Sequence, residues 1–265
     1  MQTPGGLRMI PVHEIDGEGT PLVLLNSLGA TLEMWQPQVT PLSARFRLVR
    51  FDARGHGRTP YEGDGALALD ELVGDVIDLL DHLGIERAHV AGVSLGGGVA
   101  MRLAVAHPER VDRLVLVSAA AKVGTVDSWR ERAANVRADG TESISEAAMG
   151  RWFSAAFRES QPDTVEAFRE RFDACDDEGY AACCEALGGM DQRGDVERIA
   201  APALIVGGTA DEVTTPADAA FLDERIPDSR MLLAEGAKHM VTAERPDWFN
   251  RALVAFVDEG EAGGR

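Results

Sequence analysis

Short apolar runs recur along the chain at Met9–Ile15, Pro21–Leu25, Arg47–Phe51, Ala88–Val93, Leu114–Ser118, Ala203–Val206 and Met231–Ala234. Most carry Val, Leu or Ile at nearly every position, the pattern of strands covered on both faces. Met9–Ile15 is more mixed and reads as an edge strand. Between the runs lie stretches of helical period. Asp70–Leu83 places Leu72, Val73, Val76, Ile77, Leu79, Leu80 and Leu83 on one face, and Gly84 then stops it. Leu95–His107 ends before Pro108, and Arg245–Val257 opens on Pro246 and offers Trp248, Phe249, Leu253 and Phe256 to a core. Strands alternating with helices predict an α/β fold with a mostly parallel, doubly wound sheet.

The alternation stops between Lys122 and Val196. No strand pattern occurs there, only helical patches at Trp129–Arg137, Ile144–Phe157, Thr164–Ala174 and Tyr180–Leu187. The reading is a helical cap over 122–196, inserted into a core formed by 1–121 and 197–265.

Composition narrows the function. The 265 residues carry a formal net charge of −18, which argues against nucleic-acid binding, since phosphate contacts need clustered Lys and Arg. An anionic substrate would need a locally basic pocket. Cys175, Cys183 and Cys184 have neither disulfide nor zinc spacing and read as small buried hydrophobes. Met1–Gly19 has no long apolar run, and no stretch reaches the ~18 apolar residues of a membrane span. Neither a signal peptide nor a membrane partner is expected, and the location read from this is cytoplasmic.

Chemistry concentrates at Gly92-Val93-Ser94-Leu95-Gly96, a G-x-S-x-G sequence between a strand and a helix. In that context the pattern is a nucleophile elbow, which lifts the serine hydroxyl above the sheet edge. A serine before a helix also serves as an N-cap, but the strand–turn–helix context favours the nucleophile. Serine needs a base, and on this layout acid and base follow it in the order Asp, His. Asp211 follows the Ala203–Val206 strand and His239 follows Met231–Ala234, so Ser94, Asp211 and His239 form the expected triad. Glu212 is expected to face away. No carboxylate stands in Ser118–Ala121, the other place for the acid. The oxyanion donors are the backbone N–H groups of Leu95 and of Leu28, in Asn26-Ser27-Leu28-Gly29. Asp52, Arg54 and His56 read as parts of a tight loop, without chemistry. No metal site is expected.

These residues, with further segments, carry a resemblance. Asn26–Gly29 with Met34-Trp35, Ala119–Lys122, Arg151-Trp152-Phe153, Gly179-Tyr180-Ala181 with Cys184, and Thr209–Pro216 together resemble the 3-oxoadipate enol-lactonases of bacterial aromatic degradation, members of the α/β-hydrolase superfamily. The likeness runs over nearly the whole chain, cap included. It departs at Leu95, where the family usually has Met, and at Met240–Ala243, where Leu-Ser-Asn-Val is commoner. The resemblance implies an α/β-hydrolase fold, no cofactor, and a small anionic lactone as substrate, opened through an acyl-enzyme on Ser94. It also implies a cation for the substrate carboxylate. The cap offers Arg130, Arg132, Arg137, Arg151 and Arg193; Arg132 and Arg151 are preferred, with Trp129 and Trp152 as apolar walls. Other esterases, perhydrolases or carbon–carbon bond hydrolases of this fold share the same triad. A non-catalytic binding protein on the fold is a further alternative, and Ser94 in place of a carboxylate excludes a dehalogenase.

Overall fold

The structure is a computed structural model and describes residues 9–63 and 65–263. Seven strands form one sheet: β1 His13–Asp16, β2 Thr20–Leu25, β3 Phe46–Phe51, β4 Ala88–Val93, β5 Val111–Val117, β6 Ala203–Gly208 and β7 Ser229–Ala234. Their order is β1-β3-β2-β4-β5-β6-β7; β1 runs antiparallel to β3 and every other pair is parallel. Every residue of the central β4 and of β6 is buried, which explains why their sequences are apolar but for His89. β7 is only half-buried along most of its length.

β5 opens at Val111 rather than Leu114 and stops before Ser118, and β1 differs most from the sequence reading. Residues 9–12 are not in β1. Val12 instead donates its N–H to Thr59 Oγ1 at 2.9 Å and accepts from Asp52 N–H at 2.9 Å, tying this segment to the loop after β3. Pro11, which has no N–H, stands just before the strand. Residues 1–8, at the start of the expected core unit, and 264–265, at its end, lie outside the described residues.

The helices are α1 Gln36–Ser43, α2 Leu69–His82, α3 Leu95–Ala106, α4 Val126–Asp139, α5 Glu142–Trp152, α6 Ala155–Ser160, α7 Pro162–Asp173, α8 Asp177–Gly189, α9 Pro216–Arg225, α10 Val241–Glu244 and α11 Pro246–Gly263. The α4–α8 run lies between β5 and β6. The single patch expected over Ile144–Phe157 is two helices. The chain turns extended at Phe153, and Ser154 caps α6 by accepting the Phe157 N–H at 3.2 Å. Aromatic edges knit this layer: Trp152 meets Phe172 at 5.5 Å, Phe153 meets Phe168 at 5.1 Å, and Phe172 meets Tyr180 at 5.4 Å between ring centroids. Its two feet meet at Gln192, whose N–H donates to Ala121 O at 2.8 Å and whose side chain donates to Gly98 O of α3 at 2.9 Å. No described helix is long and apolar enough to cross a membrane.

The strand order makes a switch point. From β2 the chain moves to β3 on one side, and later resumes at β4 on the other. The connections therefore diverge and leave a crevice at the carboxyl ends of β2 and β4, where open α/β sheets bind ligands. Ser94 follows β4 and the Asn26–Gly29 loop follows β2.

Candidate active site

The elbow is built by close backbone approach. A Cβ on Gly92 would lie 2.2 Å from Gly96 O, and one on Gly96 would lie 2.5 Å from Leu25 O, so both positions require glycine. Ser94 has φ 56° and ψ −112°. A non-glycine residue at such angles costs on the order of 1–3 kcal/mol and persists only where its surroundings enforce it. Here Ser94 N–H is held by Val117 O at 3.0 Å, Ser94 O by Gly98 N–H at 2.9 Å, and Asn26 O by Gly96 N–H at 3.0 Å. Ser94 occupies the N-cap position of α3, yet its hydroxyl makes no capping hydrogen bond. The capping role does not account for it.

His239 and Asp211 meet from separate strand ends. His239 Nδ1 lies 2.9 Å from Asp211 Oδ2, and the two residues are 1% and 3% exposed. Asp211 also accepts from Val213 N–H at 2.8 Å, Thr214 N–H at 3.2 Å and Thr214 Oγ1 at 2.8 Å. Burial pushes the Asp211 carboxyl up, but the His239 charge and these hydrogen bonds outweigh it and hold the group below its ordinary value. An ionised Asp211 accepts from His239 Nδ1 and sets the ring's orientation; in the neutral ring the lone pair is then on Nε2. Glu212 is exposed and pairs with Lys238 Nζ at 2.9 Å, away from this contact.

Within the turn Ser27–Ala30 after β2, the Leu28 amide is the uncommitted one. Ser27 N–H points to Met34 Sδ at 3.4 Å, Gly29 N–H to His56 Nε2 at 2.8 Å, and Ala30 N–H to Ser27 O at 3.1 Å. Among the described residues no protein acceptor takes the Leu28 N–H. Asn26 braces the loop: its Nδ2 donates to Phe51 O at 2.8 Å, and its Oδ1 accepts from Trp35 Nε1 at 3.0 Å. Leu95 opens α3, where the first amides have no partner inside the helix.

One small pocket brings these parts together with the helical layer. Ser94, His239 and Leu28 line it from the core; Trp129, Arg132, Arg151 and Trp152 line it from the α4–α8 layer, with Val123, Leu187 and Val213 between. The five candidate arginines separate cleanly. Arg130 is exposed and 3.9 Å from Asp127, Arg137 is bound to Glu178 and Glu185, and Arg193 to Asp191. Arg132 and Arg151 are half-buried and, among the described residues, have no carboxylate partner. The Arg132 guanidinium lies 5.6 Å from the ring centres of both Trp129 and Tyr180, and its Nε is buried without an acceptor. Burial lowers the Arg151 pKa, and the neighbouring Arg132 charge lowers it further. Two adjacent, unpaired cations beside a serine and a histidine make a pocket suited to an anion with a carbonyl to attack.

Two residues that tie the site together escaped the sequence reading. Glu244 is buried and accepts from Lys238 N–H at 2.8 Å, Ser154 N–H at 3.2 Å and Ser154 Oγ at 2.5 Å. It joins the His239 loop to the segment following Trp152. His56, read only as a loop residue, holds Gly29 as given above. Nothing in the local sequence marks either role, because the partners of Glu244 stand up to 90 residues away and that of His56 stands 27 away.

Sheet order, elbow and pocket are those of the α/β-hydrolases. Residues 20–246 match the family model described as alpha/beta hydrolase fold, and the chain belongs to that family. It is 40% identical over 238 residues to 3-oxoadipate enol-lactonase 2 of Acinetobacter baylyi, covering 89% of this chain and 88% of that one. It is 35% identical over 236 residues to 3-oxoadipate enol-lactonase 1 of the same organism, again covering 89% and 88%. Among solved structures, the enol-lactonase from Burkholderia xenovorans LB400 superposes with a TM-score of 0.91 at 38% identity, covering 93% of this chain and 96% of that one. The protein is a hydrolase.

Proposed function

We propose that this hydrolase opens 3-oxoadipate enol-lactone to 3-oxoadipate, a step in aromatic-compound degradation, through an acyl-enzyme on Ser94, and that it works in the cytoplasm. The observation that carries the reading is the pair Arg132 and Arg151, unpaired beside Ser94 and His239 in one pocket. A neutral ester has no use for two guanidinium groups, whereas a lactone bearing a carboxylate does. The A. baylyi relatives are named 3-oxoadipate enol-lactonases, and the B. xenovorans structure is that of an enol-lactonase.

Ser94 Oγ attacks the ring carbonyl while His239 Nε2 takes its proton. The oxyanion that forms is met by the N–H groups of Leu28 and Leu95, a stabilisation worth about 10²–10³ in rate per donor. The ring C–O bond breaks, and His239 returns the proton to the departing enol oxygen, which stays on the same molecule and tautomerises to the ketone. A water then gives a proton to His239 and its oxygen to the acyl carbon, freeing the second carboxylate and restoring Ser94. Arg132 or Arg151 holds the carboxylate already present, with Trp129 and Trp152 against the ring.

The test compares kcat/KM for 3-oxoadipate enol-lactone with that for neutral p-nitrophenyl esters. A preference of at least about tenfold for the lactone, the value of one charge-assisted hydrogen bond of roughly 1.5 kcal/mol, is expected. Equal or better turnover of the neutral esters would contradict the assignment.

A further inference from the structure

The loop that supplies the Leu28 amide is a four-residue turn, and a histidine holds its middle peptide from behind. Ala30 N–H closes the turn on Ser27 O at 3.1 Å, and Gly29 at φ +78° fits the third position of a type II turn. Ser27 C=O and Leu28 N–H share one planar peptide and point in opposite directions. The closing bond therefore aims the Leu28 N–H away from the turn. The next peptide, Leu28–Gly29, is the one that flips between turn types. Its N–H is held by His56 Nε2 at 2.8 Å.

His56 is 1% exposed, and its other nitrogen, Nδ1, lies 3.1 Å from Arg54 O. A carbonyl only accepts and an amide N–H only donates. The ring is therefore neutral, with its proton on Nδ1 and its lone pair on Nε2 toward Gly29. Burial pushes the His56 pKa down, against the Arg54 hydrogen bond and the Asp176 charge, which push it up. The ring of Tyr180, from α8, stands 6.4 Å away. Asp52, four residues earlier, supports the next turn of chain by accepting Leu32 N–H at 2.7 Å and Arg58 N–H at 3.0 Å.

We propose that His56 is a positioning residue for the oxyanion site: by holding the Gly29 N–H it locks the Leu28–Gly29 peptide and keeps the Leu28 N–H aimed at the charge that develops during attack by Ser94. The inference rests on the proposed Ser94 chemistry. His56 touches no substrate atom and acts only through the turn. The loop that carries it, Ala53–Thr59, is closed by its own backbone bonds, His56 N–H to Ala53 O at 2.9 Å and Thr59 N–H to His56 O at 3.1 Å, so replacing the ring leaves that turn intact.

The experiment measures kcat and KM separately for wild type, His56→Leu, His56→Gln and Ser94→Ala with one hydrolysable ester or lactone, with melting temperature followed alongside. Leucine removes the acceptor. Glutamine places an amide oxygen near the Nε2 position and can still accept the Gly29 N–H. An oxyanion donor acts in the transition state and hardly at all on bound substrate. His56→Leu is expected to lose about 10- to 100-fold in kcat with KM within about twofold, the scale of a misaimed donor. His56→Gln is expected to recover most of that loss whatever its melting temperature. A His56→Leu protein with kcat within about twofold of wild type would overturn the proposal. So would equal kcat losses in the Leu and Gln variants, because a purely packing role gives no rescue by an acceptor. Full activity in Ser94→Ala would instead remove the serine reading itself, and this inference with it.

Discussion

Asp211 and Glu212 are adjacent carboxylates with opposite environments, and the site depends on the difference. One is buried against His239 with four hydrogen bonds; the other is exposed and paired with a lysine. Asp211→Asn is expected to lower kcat by about 10³- to 10⁴-fold, because an amide no longer selects the imidazole tautomer, while Glu212→Gln stays within about twofold. Steady-state kinetics on both folded variants checks this; equal losses would remove Asp211 from its role. The same group gives a stability prediction. Its folded pKa is depressed, so its stabilising contribution is complete above the ordinary carboxylate range and is lost as pH falls through the depressed value. The melting-temperature gap between wild type and Asp211→Asn should be widest near neutrality and shrink in acid. A gap that does not change with pH would contradict it. The three cysteines behave as sequence spacing suggests: all are free and buried, and burial pushes the thiols of Cys175 and Cys184 up to about 12. A thiol reagent should label them only after unfolding, and rapid labelling of the native protein would contradict their burial.

Among elements, strands were the most legible. Buried β4 and β6 are nearly pure Val, Ala, Leu, Ile and Gly, and period and length alone locate them. α1, α9 and α10 were not legible. α1 carries Pro37 and Pro41 and buries only Gln38 and Leu42, α9 buries only two residues, and α10 is a single turn. A helix that offers the core so little, or that is only one turn long, leaves no periodic signature. The split between α5 and α6 was invisible for a different reason. Phe153 ends one helix and Ser154 caps the next, while Trp152 and Phe153 keep the apolar pattern running through the break. That junction is bound to Glu244. Glu244→Ala strands the Ser154 and Lys238 donors in a buried site, at a cost of about 3 kcal/mol. It should lower both denaturant stability and kcat/KM, since the His239 loop and the end of α5 share this anchor. Unchanged stability would show that the anchor carries no weight. The arginines of α4 and α5 belong to the same scale. Arg132→Met or Arg151→Met keeps most of the stem's packing and removes the charged fork. At least one of them should lose about 10- to 100-fold in kcat/KM on the enol-lactone with little change on a neutral p-nitrophenyl ester. If both variants hydrolysed the lactone as well as wild type, the carboxylate anchor would have to be sought elsewhere.

Across the whole molecule, a chain of net charge −18 keeps two unpaired arginines in its pocket. The acidic surface says nothing of this pocket, and the sequence pointed to it only through the need to hold an anion. Spatial order was likewise beyond one-dimensional pattern. The alternation of strands and helices predicts a doubly wound sheet, but only the order β1-β3-β2-β4-β5-β6-β7 places the Leu28 loop beside Ser94 at the switch point. The proposed activity requires Ser94 to act as the nucleophile on a carboxylated lactone. The direct test is the turnover number of purified Ser94→Ala on 3-oxoadipate enol-lactone, set against wild type, with circular dichroism to establish that both are folded. Loss of a triad nucleophile costs about 10⁶ in kcat in another serine hydrolase, and a fall of several orders of magnitude is predicted here. A folded Ser94→Ala protein that hydrolyses the lactone at a rate near wild type would contradict the account.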